Sequence, residues 1–349
     1  MHRVTQHQIA TSIGCSQITV SRALRNDLRV AESLRRRVGD AAARLGYRPD
    51  PMLSALVACR RHRSARSLRA SLAFVYAGNE PSEQVLFSNF EYFQGVRQKA
   101  EQLGFNLEPL RLDPAQREIR RLGQILRHRG VQGCIFALAS GHLLFDSPLI
   151  DLEGFGAVSL GYSFARQPVD CIMPDHQQCM SIAIEKALAK GYRRIGCVVG
   201  AVHNQRIGHA YTDVYRRKLE DLRLYDPALI HLRHLPGDAG DKGDHAARLA
   251  GYLDAARPDI VIGCVGSRVC LDAILYERDR KLGRDLAYIG LDLRRRKFPD
   301  DSGFLGNRSA LGEMAVETVY EQIVSNQTGV PRFCRRTLVQ SEWREGTTY

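Results

Sequence analysis

From residue 70 onward the chain repeats one pattern that leaves few folds open: a short apolar run, then a stretch with apolar residues at helical spacing. The runs fall at 72–77, 106–112, 131–138, 157–160, 195–199, 260–265 and 286–291. Between them, residues 95–103 place Val96, Ala100 and Leu103 at i, i+4 and i+7, and residues 118–126 place Ile119, Leu122, Ile125 and Leu126 on one face. Strands joined by helical crossovers run parallel, and a parallel sheet must be covered on both faces. An α/β body is therefore expected. Residues 70–349 are many for a single sheet of this kind, so the expectation is two lobes with a ligand cleft at the strand carboxyl ends.

The first 50 residues follow a different rule. Residues 6–13 carry a narrow apolar stripe at Ile9, Ala10 and Ile13, closed by Gly14, a favoured residue past a helix end. Ser16 is a good N-cap for a second helix bearing Val20, Ala23 and Leu24, which Asn26 and Asp27 break. A third helix, about 32–45, repeats apolar positions at Leu34, Val38, Ala41 or Ala42, and Leu45, and Gly46 stops it. Two helices joined by Gly14-Cys15-Ser16 make a helix-turn-helix, whose second helix suits the major groove of DNA. Charge supports that partner. Residues 1–70 hold fourteen arginines, no lysine and four acidic residues, so they carry a net +10 of the chain's formal +12. A block this basic points to a polyanion, nucleic acid first and an anionic membrane second.

Between these parts, Asp50 can cap and Pro51 can open a short helix over 52–58, after which the arginine-rich run 59–69 has almost nothing to bury. The sharpest domain boundary is placed near residue 69. Nine cysteines are scattered without a CxxC pair, the pattern of reduced thiols in a cytoplasm. Met1 is followed by His2, Arg3 and mixed polar sequence, and the longest apolar runs are strand-sized, well below the ~20 residues of a membrane span. A soluble cytoplasmic protein is expected, with no membrane partner.

Enzymatic chemistry finds no pattern to stand on. His231 and His234 lack a third ligand at metal spacing, Asp238, Asp241 and Asp244 are spaced by three rather than two, and neither Cys264 nor Cys270 has an identifiable histidine partner. After the first strand a single Gly78 replaces a phosphate-binding glycine loop. No catalytic residue, cofactor or metal is expected.

The N-terminal motif is more specific than its helices alone. Val4-Thr5-Gln6-His7-Gln8-Ile9-Ala10, then Gly14-Cys15-Ser16-Gln17-Ile18-Thr19-Val20-Ser21-Arg22-Ala23-Leu24, then Leu45-Gly46-Tyr47-Arg48-Pro49-Asp50 resemble the LacI/GalR (lactose-repressor/galactose-repressor) family of bacterial transcriptional regulators. Gln17, Ile18 and Arg22 occupy exposed positions near the start of the second helix: Gln suits adenine, Arg suits guanine, and Ile18 can touch a thymine methyl. The family's base-reading residues fall on the same three positions. Thr5, Ser16, Thr19 and Ser21 put hydroxyls where phosphates can be gripped. Arg25 departs from the family's usual asparagine and is read as an added backbone contact or a solvated charge. Leu56 matches the apolar residue that wedges into the minor groove at the operator centre; the alternative is a rigid linker helix whose Leu53 and Leu56 pack on the body.

Past residue 70 the resemblance thins but continues. The run 86–95, Val169-Asp170, Gly191-Tyr192-Arg193-Arg194-Ile195 and Ile289-Gly290-Leu291-Asp292 look like family segments and imply a two-lobed, periplasmic-binding-protein-like sensor of the type I kind. The implied division is 1–50 for DNA binding, 51–69 for hinge and linker, and 70–349 for effector binding and dimerisation. Within the last, lobe 1 takes about 70–172 and 306–328, and lobe 2 about 173–305 and 329–345. Asp292 and Arg206 match effector-binding residues of the family, and Phe87, Asn89, Ser140, Tyr162 and Met173 are further candidates. Two departures stand out: Gly263-Cys264-Val265-Gly266 replaces a polar ligand pair, and the only tryptophan, Trp343, lies far from the loop where a sugar-stacking indole is expected. The resemblance implies a homodimeric repressor that binds double-stranded operator DNA under the control of a small molecule, a carbohydrate by family habit. A coiled-coil tetramer is not expected. The rivals are a constitutive DNA binder with a vestigial sensor lobe, and an enzyme domain fused to a DNA-binding head.

Overall fold

The computed structural model describes residues 4–24, 27, 29–47, 70–77, 90–112, 118–137, 150–164, 166, 168–234, 245–294 and 298–349. The N-terminal unit is three helices, α1 (Gln6–Ile13), α2 (Gln17–Leu24) and α3 (Glu32–Arg44). Each boundary has a local cause. Thr5 caps α1 in a reciprocal box with Gln8: the Gln8 N–H donates to Thr5 Oγ1 at 3.3 Å and the Thr5 N–H donates to Gln8 Oε1 at 2.7 Å. Gly14 ends α1 at φ 68°, a left-handed conformation that suits glycine. The Thr19 N–H then donates to Ser16 Oγ at 3.1 Å, so Ser16 caps α2 as its sequence position predicts. Ile9, Ala10, Val20, Ala23, Val30, Val38, Ala41 and Ala42 form one closed core. Tyr47 fastens the end of α3 to α1, its hydroxyl accepting from Gln6 Nε2 at 3.0 Å.

The body continues with β1 (Ser71–Ala77), α4 (Phe90–Gln102), β2 (Asn106–Leu112), α5 (Glu118–His128), β3 (Val131–Phe136), β4 (Gly156–Leu160), β5 (Asp170–Pro174), α6 (His176–Ala189), β6 (Ile195–Gly200), α7 (Ala201–Arg206) and α8 (Ala210–Asp221). It then adds β7 (Ile230–Arg233), α9 (His245–Ala256), β8 (Ile260–Gly263), α10 (Val265–Glu277), β9 (Ala287–Leu293), β10 (Gly303–Leu305), α11 (Arg308–Ser325), β11 (Arg336–Val339) and β12 (Glu342–Arg344). The first sheet runs β11-β5-β4-β3-β1-β2 and is parallel throughout. The second runs β12-β10-β9-β8-β6-β7 and is parallel except for the antiparallel edge strand β12. Both faces of each sheet carry a buried apolar cluster. The alternation from residue 70 therefore gives the doubly covered α/β lobes it predicts.

Lobe membership near the C-terminus differs from the expected division. The resemblance places residues 329–345 in lobe 2, yet β11 pairs with β5 in the first sheet, and only β12 returns to the second. The cause is a buried carboxylate. Asp170 accepts from the Arg335 N–H at 2.7 Å, from Arg335 Nε at 2.9 Å and from Gln322 Nε2 at 3.3 Å, which draws the returning chain against β5. Apolar periodicity does not register such a strand, because β11 is mostly exposed.

The crossing of α4 and α11 sets the geometry of the first lobe. A Cβ on Gly95 would lie 1.9 Å from the Ser309 carbonyl oxygen, and one on Gly312 would lie 2.4 Å from the Tyr92 carbonyl oxygen. The two backbones touch because both positions lack a side chain. One turn earlier on each helix sit Glu91 and Arg308, which this contact brings together at 3.1 Å. A methyl at residue 312 has backbone rather than flexible side chain to displace. Gly312→Ala is thus expected to destabilise the body by about 1 to 3 kcal/mol, read as a lower midpoint in urea denaturation; an unchanged midpoint contradicts the close crossing.

Candidate DNA interface and effector site

The helix α2 buries Val20 and Ala23 and turns the opposite side outward. Gln17, Ile18 and Arg22 are exposed and Ser21 half-buried, and together they make one continuous strip at i, i+1, i+4 and i+5. Ile18 is 66% exposed, so its apolar tip is open to solvent. Thr5, Ser16 and Thr19 border this strip at the helix starts, where the Thr5 and Ser16 hydroxyls cap the backbone and Thr19 Oγ1 lies 2.8 Å from Ser16 Oγ. Just beyond α2, Asp27 is held by Arg29 through Nε to Oδ1 at 2.9 Å and Nη2 to Oδ2 at 2.6 Å. That side-chain hydrogen bonding outweighs burial and holds the Asp27 carboxyl down at about 2. Asp27 is thus occupied by Arg29, and Arg22 is exposed. Arg25 and Leu56, and the whole hinge segment 51–69, lie outside the described residues.

In the body, polar side chains gather at the carboxyl ends of the second sheet's strands. Asp292 comes from the end of β9, Cys264 follows β8, His203 and Arg206 lie on the short α7 that follows β6, and Arg233 ends β7. Asp292 does not stand alone: one of its oxygens pairs with Arg308, whose other amino nitrogen reaches Glu91 at 3.1 Å. Arg308 begins α11 in the first lobe and Asp292 sits in the second, so this ion pair crosses between lobes. Arg308 is buried, whereas the Asp292 side chain keeps 43% exposure and its second oxygen has no hydrogen-bond partner among the described residues. Burial alone would raise the Asp292 carboxyl; Arg308, then His203, Arg294 and His176, reverse this and hold it below the usual carboxylate range. It is a charged, open acceptor whose orientation the neighbouring guanidinium sets.

Beside it lies a ring cluster that the sequence did not announce. His176 opens α6, and its Nδ1 lies 2.9 Å from the Tyr211 hydroxyl. The His176 and His203 rings meet edge to face at 5.5 Å between centroids. Burial, with His203 nearby, pushes the His176 imidazole down to about 4, against the pull of Asp292, and burial also lowers His203. Both rings are thus neutral at physiological pH and offer hydrogen-bond donors and acceptors without charge.

The remaining sequence candidates separate clearly. Arg206 closes α7 three residues beyond His203 rather than opening the helix, and Asp292 lies at the same sheet end. Tyr162 is half-buried against the second lobe's core, with the Arg336 guanidinium 5.6 Å from its ring centre. Met173 is 2% exposed within β5, so it packs rather than presents a surface to a ligand. Phe87, Asn89 and Ser140 lie outside the described residues. Trp343 packs on Phe304 at 5.1 Å and under Lys186 at 4.3 Å, where it seals the C-terminal strand to the second lobe. Sequence reasoning missed Glu91, Arg308, His176, His203, Tyr211 and Arg233. No local pattern marks them, since each acquires its partners only through the fold.

Comparisons with known proteins agree with this architecture. Residues 5–50 match the family model described as bacterial regulatory proteins, lacI family. The chain is 29% identical over 255 residues to the HTH-type transcriptional regulator GntR of Pseudomonas aeruginosa, which spans 69% of this chain and 66% of that one. It is 22% identical to the ribose operon repressor of Haemophilus influenzae, across 91% of this chain and 92% of that repressor. Among solved structures, a complex of the transcriptional regulator CelR with cellobiose superposes with a TM-score of 0.60 at 19% identity, covering 99% of this chain and 100% of the other. The lac repressor dimer bound to operator and the anti-inducer ONPF gives 0.58 at 15% identity, with 99% of each chain covered.

The ring cluster gives the body a defined pH response. Because the folded His176 binds its proton more weakly than an unfolded histidine, its contribution to stability is complete above about pH 6.5 and declines as pH falls toward 4. The melting temperature is expected to fall between pH 7 and pH 5, and His176→Gln, which keeps a partner for Tyr211, should shrink that fall. An unchanged slope would remove His176 from the account.

Proposed function

We propose that this chain, a member of the LacI family of bacterial regulatory proteins, is a sequence-specific transcriptional repressor whose affinity for operator DNA is set by a small molecule bound between its two lobes. The observation that carries the reading is the outward strip Gln17, Ile18, Ser21 and Arg22, held on α2 by a closed core of its own. A helix lying in the major groove meets base edges with such residues: a guanidinium forks onto guanine, a carboxamide onto adenine, and an apolar tip onto a thymine methyl. Thr5, Ser16, Thr19 and Ser21 flank the strip and set register on the phosphates, and Arg25 serves as an added backbone contact. A single unit of this kind reads a half-site, so a homodimer on a two-fold operator is the working form, with Leu56 from each copy wedging the central minor groove. The protein works in the bacterial cytoplasm, at the DNA.

In the body, Asp292 accepts hydroxyl hydrogen bonds through its open oxygen, and Arg206 with neutral His203 lines the same sheet end. A polyhydroxylated effector fits these donors and acceptors, in keeping with the cellobiose bound by a structural relative. Because Asp292 is tied across the lobes to Arg308, a ligand that engages it changes what holds the lobes together. The linker 51–69 carries that change to the DNA-binding units.

The test is a titration on an operator selected from random duplexes. Arg22→Ala is expected to cost about 1 to 3 kcal/mol and to relax preference at one base position per half-site, whereas replacement of a phosphate-gripping residue weakens all sequences alike. If Arg22→Ala leaves affinity and preference unchanged, α2 is not the reading helix. Effector control is read in the same assay, as a sugar-dependent shift in operator affinity that Asp292→Asn abolishes.

A further inference from the structure

The second sheet's far edge holds positive charge that meets no carboxylate among the described residues. Arg233 ends β7, and its guanidinium bends over the first turn of α10: a Cβ on Gly266 would lie 2.2 Å from Arg233 Nη2 and 3.0 Å from its Cζ. Glycine at 266 therefore makes the notch that the guanidinium fills. Arg233 Nε is buried without a hydrogen-bond partner, and so is Nδ1 of the adjacent His234. His231 on the same strand is pushed down by burial and then by Arg248, Arg233 and His234, and Arg248 spends a nitrogen on His245 Nδ1 at 2.8 Å. Among the described residues, no carboxylate forms an ion pair with Arg233 or Arg248. The start of a helix is the positive end of its dipole, so α10 gives the guanidinium no compensation either. Buried, unpaired donors on a charged group are costly, and folded chains keep them where something else completes the bonding.

Resting on the effector-controlled reading above, we propose that Arg233, seated in the Gly266 notch with His234 beside it, is an anion subsite that takes the phosphate or carboxylate of a polyhydroxylated effector. A guanidinium forks onto two oxygens of either group, which supplies the partner that Arg233 Nε lacks. Distance favours one ligand reaching both ends. The guanidinium reaches back from β7 to the turn that follows β8, the neighbour of β9, so about one strand spacing of roughly 5 Å separates it from the strand of Asp292 in the plane of the sheet. One sugar ring with an acidic substituent spans such a gap. The absent polar pair at 263–266 is then a replacement of neutral recognition by charged recognition, with glycine as its condition.

Isothermal titration of the full chain with inorganic phosphate, glucose, glucose 6-phosphate and glucuronate tests this. Saturable phosphate binding is expected, weakened at least tenfold by Arg233→Gln and also by Gly266→Ala, whose methyl takes the guanidinium's place; Arg233→Lys should keep part of it. Circular dichroism melts confirm that each variant is folded, and if Arg233→Gln is not, Gly266→Ala carries the comparison. Tighter binding of glucose 6-phosphate or of glucuronate then names the oxyanion. Absence of phosphate binding, or equal binding by wild type and the folded variants, overturns the proposal, as it would if Asp238, Asp241 or Asp244 already neutralised the arginine. Arg233-dependent binding with no ligand effect on operator affinity supports the subsite and rejects effector control. Operator release by neutral glucose, indifferent to Arg233→Gln, does the reverse.

Discussion

The body of this protein depends on the contact of two helix backbones at Gly95 and Gly312. With a side chain at either place α4 and α11 would stand further apart, and Glu91 and Arg308 would no longer meet. That meeting fixes Arg308 from one side, so its free nitrogen is offered across the lobe boundary to Asp292. Burial works against the guanidinium's charge, but Asp292, Tyr92 and Glu91 more than offset it. A buried ion pair of this kind adds little net stability when intact and costs several kcal/mol when one partner is removed. It is better understood as a device that fixes geometry than as a source of stability. Here it holds the carboxylate that an effector would meet.

The DNA-binding unit runs on different physics. Its core of mostly small and branched residues is assembled from neighbours in sequence, and its caps at Thr5, Gly14 and Ser16 each act within four residues. Such a unit is legible from the chain alone, because period, cap and turn are all local properties. The outward strip follows without further information: once Val20 and Ala23 are known to be inside, Gln17, Ile18 and Arg22 must be outside.

The body was legible as an architecture and much less so as a site. Its alternation announced two covered parallel sheets, and the order of strands and helices followed it closely. Five strands do not stand out as apolar runs: β7, β11 and β12 lie at sheet edges and are part-exposed, β10 is only three residues long, and β5 holds just three apolar residues between Asp170 and Pro174. A core-facing apolar run is too weak in such strands to be noticed. Met173, a candidate by position, is 2% exposed within β5, and Trp343, far from the loop where a sugar-stacking indole is expected, packs on Phe304.

By itself, then, the amino-acid sequence determined the three-helix unit, the outward strip on its second helix, the lopsided charge and the α/β class of the remainder. All of these are set by interactions within about a turn or a strand of each residue. Only the tertiary structure decided which charges meet: Asp292 with Arg308 sixteen residues on and Glu91 on another helix, Asp170 with Arg335, Arg233 against Gly266. Residues far apart in the chain carry no mark of one another, because their pairing is fixed by how sheets and helices stack rather than by any local preference. In this protein the outward strip of the N-terminal unit is local and readable, whereas the polar cluster around Asp292 is assembled from distant segments and had to be seen folded.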